Sequence, residues 1–255
     1  MKTYCLSFAL LILALNLSFG EIKNGYAKGI SAARESLKGL HALLQHEKEI
    51  TSSQKKMIET KIKAVVNYIV YYELTENLLK QFRLLAPDLY NEIDTIKDRQ
   101  GRPTDVYIKF IPREQANVQA RGITNVAQVP GDNDAYNSEH GERSVSVKVW
   151  IVAKALEILS HELGHVKYQV PNLASYLEYH KLNYRPSVTE PNNIGHHPND
   201  RSGKNAAAFA KKYRENYCSY WKNGHSQFQS PPVLMEKIRK EVQLEAMVTD
   251  PLARL

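Results

Sequence analysis

The chain has 255 residues, with 34 Lys and Arg against 27 Asp and Glu, a formal net charge of +7, and two cysteines. That length suffices for one substantial domain or two small ones, and the cysteine count excludes a disulfide-stapled scaffold. The basic residues are spread along apolar-periodic segments with no dense aromatic–basic run, so the excess reads as a mildly basic solvated surface and no nucleic-acid partner is expected.

Residues 1–20 read as a secretion signal. Lys2 precedes an apolar stretch from Phe8 to Leu15, and Ser18 and Gly20 place small residues where a signal peptidase reads them. The stretch is too short for a permanent membrane span, so a secreted or periplasmic protein without a stable membrane anchor is expected. Lys2 is the one charged side chain in 1–20, so the remainder carries +6, with Cys218 as its single thiol.

From Asn24 to about Gln100 the pattern is helical. Ile30, Ala33, Leu37, Leu40 and Leu44 trace one stripe, with Ser31 as a start. Met57, Ile58, Ile62, Val65, Ile69 and Tyr72 trace a second, on a helix beginning after Thr51 or Ser52. Leu78, Leu79 and Phe82 carry that face towards Pro87, and Leu89, Ile93 and Ile96 suggest a shorter third helix. Residues 21–100 are thus expected to form a small helical segment ahead of a second domain over 101–255. His41 and His46, five apart, read as surface or packing residues.

Gly101-Arg102-Pro103 breaks the helical pattern, and the period changes to two. Val106–Ile111 and Ile123–Val129 predict strands, and Ser144–Trp150 predicts a third with Val145, Val147 and Val149 on one side. Between them, a polar stretch holding Asp132, Asp134, Glu139 and His140 matches no calcium-loop spacing and reads as a solvated hairpin tip.

The strand is expected to run directly into an amphipathic helix on which Ile151, Val152, Ala155, Leu156, Leu159 and Leu163 recur at three- and four-residue steps. Within it stands His161-Glu162-Leu163-Gly164-His165, an H-E-x-x-H array. Imidazoles four apart share a helical face and can reach one metal ion, and the adjacent glutamate can face a metal-bound water without being a ligand. Gly164 lowers helix propensity by about 1 kcal/mol relative to Ala, which points to close packing or a site. Pro171 ends the helix near Gln169, Asn172 can cap another through about Asn183, and a Pro-, Asn- and Gly-rich loop follows. Asp200 or Ser202 can start a helix through Tyr217, and a last helix is expected from about Pro232 to Met247.

Strands followed by a helix bearing His161, Glu162 and His165, then further helices, resemble the zincin metallopeptidases. The resemblance covers roughly residues 105–220 and implies an α+β fold: a mixed sheet with an active-site helix, here preceded by an N-terminal helical segment, and a cleft along the sheet edge where an extended substrate pairs. The extended metzincin motif is absent, since Tyr168 and Pro171 stand where its glycine and third histidine would fall. The implied activity is a secreted peptidase using Zn2+ held by His161 and His165, with Glu162 as general base and a peptide or protein as substrate. A catalytic zinc usually has three protein ligands. Asp200 is favoured as the third, His196 comes next, and His180 and Glu178 on the intervening helix stay open. Tyr213, Tyr217 and His225 are available as donors to an oxyanion. The alternative is an inactive or latent zinc-binding envelope protein.

Overall fold

A computed structural model describes residues 21–45, 50–115, 121–128, 135–136, 144–183, 200–222 and 229–248. In chain order the elements are β1 (Ile22–Asn24), α1 (Ile30–Gln45), α2 (Ser52–Leu85), α3 (Pro87–Asp94), β2 (Asp105–Ile111), β3 (Gly122–Asn125), β4 (Ala127–Gln128), β5 (Ala135–Tyr136), β6 (Ser144–Trp150), α4 (Ala155–Gln169), α5 (Leu173–Asn183), α6 (Arg201–Lys222) and α7 (Pro231–Val248). The fold is mixed α and β, with a four-stranded sheet in the order β1-β2-β6-β3. β1, β2 and β6 run parallel, and β3 lies antiparallel to β6 at the edge.

The alternation of apolar residues explains how the sheet is covered. Val106, Ile108 and Phe110 stand opposite Val145, Val147 and Val149, so the six share one face, and all are fully buried. α2 packs against β2, while α4 packs against β6 and β3. Thr51 and Gln54 form a reciprocal capping box at the start of α2, where each backbone N–H is met by the other's side chain. From there α2 runs 34 residues, about 50 Å at the α-helical rise. Its Ile69, Val70, Leu74, Leu78 and Phe82 are almost wholly buried, and α7 packs along it through Leu234, Ile238 and Val242.

Three expectations are corrected. The N-terminal region is not helical throughout, because Ile22–Asn24 forms a strand paired in register with Val106–Ile108. Three residues are too few to show a period. Side chains secure the strand instead: Asp94 accepts from the Ile22 N–H, and the Asn24 amide donates to the Tyr72 carbonyl and to Glu76. The strand expected over 123–129 divides into β3 and β4, and β4 pairs with β5 in a separate two-stranded sheet. The motif helix begins at Ala155 rather than at the end of β6, since Val149 and Trp150 belong to the ladder with Phe110 and Ile111.

The boundary expected near residue 100 does not divide the core: residues of α2 and α3 share one buried apolar cluster with those of β2, β6, α4 and α6. Residues 1–20, most of the loop between β3 and β6, His46, His196 and His225 lie outside the described residues. Among the described residues, no helix is long and apolar enough to cross a membrane.

Candidate metal centre

α4 and α6 run antiparallel, as three contacts along them show. Ser160 donates to the Phe209 carbonyl at 2.8 Å, Gly164 lies against Ala206, and Gln169 donates to the Ser202 hydroxyl at 3.0 Å. The approach at Gly164 is closer than any side chain would permit, since a Cβ there would lie 2.5 Å from Ala206 Cα and 2.6 Å from the Asn205 carbonyl oxygen. This is the packing reason for a glycine inside the motif helix.

His161 and His165 stand edge to face, with ring centroids 4.9 Å apart and planes at 81°, and both are half-exposed. Glu162, turned about 100° around the helix from His161, is buried at 6 % exposure beneath β3. Thr124 on that strand donates to Glu162 Oε2 at 2.7 Å and also lies 3.1 Å from the Glu162 carbonyl. Gly122 admits the carboxylate, because a Cβ there would fall 2.7 Å from Glu162 Oε1. Burial raises the Glu162 pKa to about 7, while the Thr124 hydrogen bond pulls the other way.

Two imidazoles one turn apart are donors of the kind zinc takes, while the neighbouring Glu162 carboxylate is held by Thr124 on another strand. His165 Nδ1 is 2.8 Å from Ser202 Oγ, so Nε2 is the nitrogen that would take a metal.

Asp200 is buried and caps α6, accepting the Ser202 N–H at 2.9 Å through Oδ1. Because Ser202 touches His165, the start of α6 is brought to the motif. Among the described residues, no group of three or more His, Cys, Asp or Glu side chains is gathered for a metal. Glu178 is exposed on α5, and the His180 side chain lies outside the described residues. Tyr213 is removed from the motif: it stacks between Phe82 and Tyr217, with centroids 5.9 and 5.7 Å away, at the end of α6 that faces Glu157. Cys218 is exposed.

Four residues join the site that sequence reasoning did not select: Thr124, Gln169, Ser202 and Tyr176. Tyr176 reads in the sequence as part of the apolar stripe of α5. In the fold it is half-buried within electrostatic reach of Asp200 and Glu162, and burial first, then these two charges, raise its pKa. Its phenol therefore stays protonated. Thr124 and Ser202 carry no sequence signal, since each acts through a partner 37 or 38 positions away.

No protein-family model, curated protein or solved structure matches this chain.

Proposed function

We propose that the chain is a secreted zinc-dependent peptidase. The observation that carries this reading is the Glu162 carboxylate, fixed by Thr124 beside two edge-to-face imidazoles. His161 and His165, as neutral ligands, would hold Zn2+ with a third ligand from the segment entering α6, Asp200 first and His196 next. Bound there, the metal would lower the pKa of a coordinated water and polarise the scissile carbonyl. Glu162 accepts the water proton and passes it to the leaving amine. Burial brings the Glu162 pKa to about 7 in the metal-free protein, and a dication on the two imidazoles would favour its charged, proton-accepting form. β3 pairs with β6 alone among the described residues, and its other edge lies on the side of the sheet where the zincin resemblance puts an extended peptide. Tyr176 is the proposed donor to the developing oxyanion.

One observation favours the alternative of a latent or inactive zinc-binding envelope protein: at 6 % exposure, Glu162 has little access to solvent.

Elemental analysis of the purified protein tests the site. About one zinc per chain is expected, lost in His161→Ala, with Asp200→Ala reporting on the third ligand. A wild type that takes up no zinc when supplied with it sinks both readings. Stoichiometric zinc without hydrolysis of a diverse peptide library selects the alternative. Within the peptidase reading, Tyr176→Phe is expected to lower kcat by about 100-fold, the usual loss for one oxyanion donor, with zinc content unchanged. Wild-type kcat in that variant would remove Tyr176 from the mechanism.

A further inference from the structure

The Ser202 hydroxyl sits where α4 and α6 meet, fully buried and between two side chains of α4. Its Oγ is 2.8 Å from His165 Nδ1 and 3.0 Å from Gln169 Nε2, and Gln169 is itself buried. The serine is held on the first turn of α6, because its own N–H donates to Asp200 Oδ1. The distance between the helices is set a turn away, where Gly164 lets α4 rest against the backbone of Asn205 and Ala206.

A serine oxygen has two lone pairs and one proton. One lone pair takes the Gln169 N–H. The second is then available to the His165 Nδ1–H, which places the imidazole proton on Nδ1 and a lone pair on Nε2. The reverse arrangement, with Oγ–H donating to Nδ1, would protonate Nε2 and close it to a cation. Accepting from Gln169 leaves Oγ both a lone pair and its proton, so the metal-free protein can adopt either arrangement, and a metal on Nε2 selects the first.

We propose that Ser202 is the positioning residue of His165: oriented by Gln169 and Asp200, it accepts the Nδ1 proton and aims Nε2 at the metal. The inference rests on the reading of His161 and His165 as metal ligands. It ties the metal site to the start of α6.

The test has two arms. Heteronuclear NMR of the imidazole nitrogens in zinc-loaded wild type, at about pH 8 where an ordinary histidine is neutral, should show His165 with its proton on Nδ1 and the metal on Nε2. Chelator competition should then show zinc binding weakened by about 10–100-fold in Ser202→Ala. Ser160→Ala, which removes the α4–α6 hydrogen bond to Phe209 but touches no motif side chain, should keep the wild-type affinity. A zinc-loaded wild type with the metal on Nδ1 of His165 overturns the proposal without any variant. So does a folded Ser202→Ala with the zinc affinity of Ser160→Ala. A wild type that binds no zinc instead overturns the metal reading, and this inference falls with it.

Discussion

On the peptidase reading, Glu162→Gln is expected to lower turnover steeply and, in the metal-free protein, to raise stability above neutral pH. The two effects have one cause. The carboxylate is buried beneath β3 with Thr124 as the hydrogen-bond donor to Oε2, and its pKa in the fold is about 7 against 4.5 for the ordinary group. A folded pKa above the unfolded one means that the carboxyl's contribution is intact below about pH 4.5 and is lost as the pH rises through about 7. At pH 8 the buried charge then costs about 3 kcal/mol as an upper figure, from the size of that shift. Glutamine stays neutral throughout, so its advantage should grow between those two values and level off above them. Denaturant melts of both proteins across that range, with metal removed, measure it; a difference independent of pH would show that Glu162 is not ionising in the buried position. Activity should fall by about 100- to 10,000-fold, the range for loss of a positioned general base, while zinc content is retained. A dication held by His161 and His165 would favour the carboxylate, so the stability gain should shrink when zinc is restored.

Gly164→Ala should destabilise the protein even though alanine is the better helix former. The propensity gain is about 1 kcal/mol. Against it, the new methyl would lie 2.5 to 2.8 Å from Ala206 Cα, the Asn205 carbonyl oxygen and the Ala206 nitrogen. All three are backbone atoms, so no rotamer change relieves the contact and α6 itself must move. Overpacking of this kind typically costs about 1–3 kcal/mol, and the backbone clash puts this case at the upper end. A net loss of about 2 kcal/mol is expected, or several degrees in Tm for a chain of this size. Gly164→Val should lose more. Because the displaced helix carries Ser202, zinc affinity should fall as well. A Gly164→Ala protein that melts at or above the wild-type temperature would contradict the helix spacing described.

The parts of the fold legible in the sequence were those where one element carries its own signal. Thr51 marks the start of α2 as a local helix-starting residue, and Pro171 closes α4 two residues after Gln169. The alternation of Val145, Val147 and Val149 defines β6 because every second side chain enters the same core. β1 escaped notice because three residues show no period and its support comes from Asp94, Tyr72 and Glu76, far along the chain. The site divides in the same way. His161, Glu162 and His165 are neighbours on one helix, so spacing alone groups them. Thr124 and Ser202 enter only when β3 and α6 fold onto α4, and Tyr176 shows one pattern, apolar periodicity, while its phenol keeps company with two carboxylates.

The strand at the start of the described chain bears on what a cut in this chain would do. Here residues 21–100 supply a strand of the central sheet and the long helix that backs β2, and Val106, Ile108 and Phe110 are buried in the cluster those elements share. A cut near residue 100 with release of the N-terminal piece would strip the apolar face of the sheet and leave an aggregating remnant. A latent form of the proposed peptidase, if opened by a cut near residue 100, would have to keep the severed segment docked on the sheet.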